Sequence, residues 1–213
     1  MHRNGDDAKP MDDSKFQTGE SAGEARENPL TYEDYARMPD DGHRYELVDG
    51  KLELMSPSPN RSHQVVAFEL CSLLKTTCQQ DYVIVMAPVD VLISPHEVRQ
   101  PDAVMIHRSR LSIYKMRGNI IEPPDLVLEI LSPDSLRRDK IAKRSSYAKF
   151  GVPEYWIVDP DSATLEQFSL SDSGAYALAE TYTGDEQITS ERLPCVSFSM
   201  DDVMRLPRQF PSE

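Results

Sequence analysis

At 213 residues the chain fits one domain with a short tail and can bury a sizeable core. Its net charge of −13 argues against a surface that binds polyanions everywhere, because phosphate binding runs on Lys and Arg. Residues 99–149 nonetheless sum to +5, so one basic face can still meet nucleic acid.

Residues 1–28 are polar and acidic without apolar periodicity and read as a disordered tail; residues 29–207 read as the domain and 208–213 as a C-terminal tail. No apolar run approaches the roughly 18–20 residues needed to cross a bilayer, and no apolar stretch near residue 1 resembles a signal peptide. The expectation is a cytoplasmic protein with no membrane association. Thr31 and Asp34 form a capping-box-like pair at the head of a short helix. Tyr45–Val48 and Lys51–Met55 flank Asp49-Gly50, whose tolerance of positive φ predicts a tight β-hairpin. From Ser62 to Gln79, Val66, Leu70, Leu73 and Leu74 recur at helical spacing. Strands are expected at Val83–Met86 and Val89–Ile93, separated by Pro88, and at Ala103–Ile106. Residues 107–122 read as a long connection or short helix, and Leu126–Leu131 as the central strand. A helix opening between Ser132 and Asp139 ends at Gly151, with Pro153 beyond it. Glu154–Val158 is a strand, residues 163–170 and 175–183 a hairpin, and Val203-Met204 part of a last short helix. The order predicts an α/β fold built on one mixed sheet.

Cys71, Cys78 and Cys195 form no C-x-x-C pair, which argues against a disulfide framework or a zinc site; Cys71 and Cys78 are expected in the core. Two carboxylates stand out. Asp102 lies at the mouth of an apolar strand, and Glu129 interrupts Leu-Val-Leu-Glu-Ile-Leu, where a buried charge needs a partner or a metal. On neighbouring strands the two can share Mg²⁺, a hard cation that takes oxygen ligands and needs only one or two carboxylates. The alternative puts Glu129 on the solvated face of an edge strand and Asp102 in a turn cap. Asp139, Lys143 and Tyr147 fall at i, i+4 and i+8 and stack on one helix face, which can aim Lys143 at the Glu129 strand. The plainer use of Lys143 is a surface ion pair with Asp139. Arg137, Arg138, Lys140 and Arg144 make the basic stretch, either a phosphate-binding face or a solvated helix surface. Tyr147 and Trp156 suit core packing or a cleft wall.

The ordered string Tyr45-Glu46-Leu47-Val48-Asp49-Gly50, Met55-Ser56-Pro57, His63, Pro101-Asp102, Glu129-Ile-Leu, Asp139, Lys143, Tyr147, Gly151-Val152, Glu154-Tyr155-Trp156 and Asp159-Pro160 resembles the bacterial restriction-endonuclease-like family of the PD-(D/E)XK nuclease superfamily. The resemblance spans about residues 29–207. It implies a restriction-endonuclease-like sheet flanked by helices, and an endonuclease acting on DNA. Mg²⁺, or Mn²⁺ in its stead, would be held by Asp102, Glu129 and the Ile130 carbonyl. The superfamily's lysine after the second carboxylate is missing, since Leu131 stands there; Lys143 is the position that matches a migrated lysine, with Lys140 as the second choice. Glu46 resembles the family's N-terminal acidic residue, which completes the metal shell or faces solvent. His63 would contact phosphate or water, or lie on the polar surface. Cutting both strands calls for two subunits, so a homodimer is expected. The rival reading is an inactive nuclease fold that binds nucleic acid or protein.

Overall fold

The computed structural model describes residues 28–55, 60–116, 118–132 and 142–211. The expected tail at 1–28 and the expected helix start at Ser132-Pro133 therefore lie almost wholly outside the described residues.

Thr31 caps helix α1 (Tyr32–Tyr35) through the reciprocal bonds with Asp34 that the sequence suggests. The hairpin of β1 (Tyr45–Val48) and β2 (Lys51–Leu54) turns on Asp49 at φ 48° and Gly50 at φ 75°. A Cβ at Gly50 would sit 2.3 Å from Cβ of Pro29, so the turn requires glycine for space as well as for φ. Helix α2 (Arg61–Cys78) starts where the Asn60 side chain accepts the His63 N–H at 2.9 Å. Its apolar stripe of Val66, Leu70 and Leu74 is buried as the periodicity predicts.

The strands β3 (Tyr82–Met86), β4 (Asp90–Ser94), β5 (Glu97–Arg99), β6 (Ala103–His107), β7 (Asn119–Ile120) and β8 (Leu126–Ile130) precede helix α3 (Arg144–Phe150). Then come β9 (Glu154–Asp159), β10 (Thr164–Leu170), β11 (Tyr176–Thr183), β12 (Gln187–Ile188), β13 (Phe198–Ser199) and helix α4 (Met200–Met204). The single mixed sheet expected from the sequence is instead divided. A six-stranded sheet runs β11-β10-β9-β8-β6-β3, a five-stranded sheet runs β2-β1-β5-β4-β7, and β12 pairs with β13. The division arises because β4 turns through Pro95-His96 into β5, which pairs with β1 of the hairpin rather than with β3. At three residues, β5 is too short to read as an alternating pattern. The connection at 107–122 likewise resolves into a 3-10 turn at Arg108–Ile113 and β7.

The six-stranded sheet is covered on both faces. Leu126, Leu128 and Ile130 of β8 pack with α2, α4 and Phe198, whereas Val127 and Leu131 pack with Tyr147, Tyr155, Val89 and Val91 on the other side. That two-sided burial explains why this strand is one continuous apolar run. Successive side chains point to opposite faces, so Glu129 belongs to the Val127 set and faces the five-stranded sheet.

The expectation for cysteine needs correcting. Cys71 is free and buried, but Cys78 at the end of α2 is disulfide-bonded to Cys195, 117 residues away. The pairing follows from α4 and its preceding loop packing on α2, a contact no cysteine spacing reveals. Among the described residues no helix is long and apolar enough to cross a membrane.

Gly151 closes α3 at φ 90°, and its N–H donates to the carbonyls of Tyr147 and Ala148, both at 3.1 Å. An added Cβ would meet Pro123 Cγ at an ordinary 3.7 Å, so the cost of Gly151→Ala is backbone strain alone. A loss of about 1–2 kcal/mol is expected in urea denaturation; an unchanged midpoint would contradict it.

Candidate active site

The carboxylate of Glu129 is 3% exposed and does not face solvent. Lys143 at the head of α3 and Tyr147 one turn later meet it together, as the i, i+4 spacing requires. Lys143 Nζ donates to Glu129 Oε2 at 3.0 Å, and the Tyr147 hydroxyl donates to Oε1 at 2.9 Å. Burial first, and the Glu129 charge second, hold the Tyr147 phenol well above its ordinary pKa, so it remains a donor at neutral pH. Lys143 is itself 5% exposed, which rules out its plainer use as a surface ion pair.

A second carboxylate closes on the same ammonium. Glu46 of β1 lies 3.3 Å from Lys143 Nζ through Oε1, which also accepts the Gln100 N–H at 2.8 Å. Its Oε2 accepts from Arg99 at 3.2 Å. Strand β1 thus presents Glu46 inward, against the solvent-facing alternative.

Asp102 sits where the chain enters β6, beside the end of β8. Its Oδ2 accepts the N–H of Ile130, the residue after Glu129, at 2.7 Å. The same oxygen lies 3.2 Å from His63 Nε2 in the first turn of α2. His63 is buried at this contact rather than spread on the polar surface. The Asp102 side chain is 22% exposed, and its Oδ1 makes no hydrogen bond among the described residues. The donor set that the resemblance implies for a metal is the Asp102 and Glu129 carboxylates, the two Glu129 oxygens already accepting from Lys143 and Tyr147, with the Ile130 carbonyl. It is all oxygen, with one member open to solvent, which suits Mg²⁺ better than a softer cation. Among the described residues no three His, Cys, Asp or Glu side chains gather as a metal cage, and Mg²⁺ does not need one.

Asp102, Glu129, Ile130, Lys143, Glu46 and His63 thus fall into one continuous neighbourhood. Arg137, Arg138, Asp139 and Lys140 lie outside the described residues. Arg144 is exposed, its guanidinium resting over the Phe168 ring at 5.3 Å. Tyr147 serves both core and site, whereas Trp156 is core, donating to Glu154 at 2.7 Å. Sequence reasoning did not single out Arg99, Glu97, Ser146 or Gln100. The one available signal was Glu97-Val98-Arg99, two opposite charges at strand spacing immediately before Pro101-Asp102.

Mixed sheets flanked by helices in this arrangement match the fold of the restriction-endonuclease-like nucleases. The chain belongs to the Uma2 family, described as "Putative restriction endonuclease", whose profile matches residues 32–201. In fold it is similar to a crystal structure described as a "putative nuclease" from Anabaena variabilis ATCC 29413, with a TM-score of 0.67 at 20% identity, covering 83% of this chain and 98% of that one. No curated protein matches it in sequence.

Tyr147 gives the site a measurable alkaline signature. Below the ordinary tyrosine pKa of 10.0 the phenol is protonated in folded and unfolded chains alike, and its stabilisation is complete. As pH rises past that value the unfolded chain ionises first, so stability declines. Tyr147→Phe is expected to cost about 1.5–3 kcal/mol at pH 7, from the lost bond to a charged group, and to flatten the decline above pH about 10. Denaturation curves across that range check both; the slope does not vanish, because burial also raises Tyr35, to about 12, and Tyr176.

Proposed function

We propose that this chain is a Mg²⁺-dependent endonuclease that hydrolyses phosphodiester bonds of DNA in the cytoplasm. The observation that carries the reading is the ammonium of Lys143 at 3.0 Å from Glu129. A helix supplies, next to the second carboxylate, the cation that Leu131 cannot supply from the strand.

Bound by Asp102, Glu129 and the Ile130 carbonyl, Mg²⁺ or Mn²⁺ would supply an acidified water and neutralise charge on the phosphate. The protein's own groups do the rest. The Ile130 amide and His63 fix the Asp102 carboxylate by its Oδ2, on a side chain 22% exposed. Tyr147 fixes the rotamer of Glu129. Lys143 places a positive charge where the phosphoryl oxygens accumulate negative charge, without having to reorganise. Arg144 and the basic residues at 137, 138 and 140 would neutralise backbone phosphates, giving affinity without sequence readout. With one such site per chain, cutting both strands would require a homodimer.

The test is cleavage of supercoiled, linear and single-stranded DNA with Mg²⁺ or Mn²⁺. Asp102→Asn and Glu129→Gln are expected to lose at least about 100-fold in rate. Asp102→Asn should keep its thermal midpoint and bind Mn²⁺ more weakly by calorimetry. Wild-type cleavage in either variant would end the proposal.

A further inference from the structure

Arg99 of β5 is the most thoroughly partnered polar side chain that the proposed reaction leaves unused. It is 2% exposed and cannot reach a substrate. Its NH1 donates to Glu46 at 3.2 Å, while Nε and NH2 donate to Glu97 Oε1 at 3.2 and 3.0 Å. NH2 also donates to the Ser146 hydroxyl at 3.1 Å, and that hydroxyl donates to Glu97. The charges alternate along a row that is half-buried at Glu97 and buried from there on: Glu97, Arg99, Glu46, Lys143, Glu129.

The row constrains where the ammonium of Lys143 can be. Facing Lys143 alone, Glu46 could follow it through several rotamers. With Oε2 on Arg99 and Oε1 on the Gln100 amide, it has one position. The planar, multiply donating guanidinium holds two carboxylates at a set separation, which a point-charge ammonium does not. Ser146 lies three residues beyond Lys143 on the same helix, so its bond to Arg99 fixes the helix as Glu46 fixes the ammonium.

We infer that Arg99 is a positioning residue for Lys143, acting through Glu46 and Ser146 to hold the ammonium at Glu129. The inference rests on the nuclease reading for its effect on rate, but not for its effect on the ammonium itself.

The variants are Arg99→Lys, Arg99→Met and the double variant Glu46→Gln/Arg99→Met. Removing one partner of a buried ion pair is strongly destabilising, whereas neutralising both together largely is not. Because Glu97 loses the same guanidinium and keeps its charge, the double variant should recover only part of the stability that Arg99→Met loses. If Arg99 positions Lys143, it should not recover kcat, which stays at least tenfold down with KM for DNA within twofold of wild type. Recovery of kcat together with stability would reduce Arg99 to a structural part and overturn the inference. Arg99→Lys is the variant for the case in which the neutral pair does not fold; it keeps the charge and should also lose kcat, and wild-type kcat in it counts against positioning. Nitrogen-15 NMR of the lysine ammonium groups, with Lys143 assigned through Lys143→Met, reads the same question without DNA. A resolved Lys143 signal in the wild type should broaden or shift in Arg99→Lys, and an unmoved signal overturns the inference. Should the wild type cut no DNA, the nuclease reading fails, while the NMR result still decides the role of Arg99.

Discussion

The ammonium of Lys143, held between the carboxylates of Glu129 and Glu46, joins β8 and the helix that follows it to the distant hairpin strand β1. Taking such ions out of water costs several kcal/mol each, and the cost is offset only where geometry and further hydrogen bonds are good. Here Tyr147 donates to Glu129, while Gln100 and Arg99 donate to Glu46. Because Glu46 belongs to the five-stranded sheet, Glu129 to the six-stranded one and Lys143 to α3, the cluster exists only once the two sheets have docked. Forming the fold and forming the site are one event.

Solvent access is graded across this neighbourhood. Arg99, Glu46, Glu129 and Lys143 are buried, whereas the Glu97 side chain at one end is 13% exposed and the Asp102 side chain at the other is 22% exposed. The ion pairs between the buried groups thereby keep the strength of a low-dielectric surrounding while Asp102 stays within reach of water.

Much of the local structure was legible. Thr31 with Asp34, Asp49-Gly50 and Gly151 with Pro153 each encode a cap or turn in adjacent residues, and each is found. The run Leu126–Leu131 disclosed a strand buried on both faces, and the charge inside it needed the buried partners that Lys143 and Tyr147 supply. The meeting of Lys143 and Tyr147 at Glu129 was half legible: helical spacing put both on one face, but not the face's target. What escaped depends on contacts between distant segments. The three-residue β5, the split into two sheets, the burial of Arg99 and the Cys78–Cys195 bond have no short-range pattern to announce them. Glu46 was ambiguous for the same reason, since the inward face of a hairpin is defined only by what packs on it.

The bond between Cys78 and Cys195 encloses a loop of chain that contains Glu97, Arg99, Asp102, Glu129 and Lys143, and leaves Glu46 and His63 outside it. A protease nicking the exposed turn at residues 171–175 would therefore cut inside the ring. The two fragments would stay covalently tied, and a clipped molecule would still migrate as one species until a reductant separated its halves.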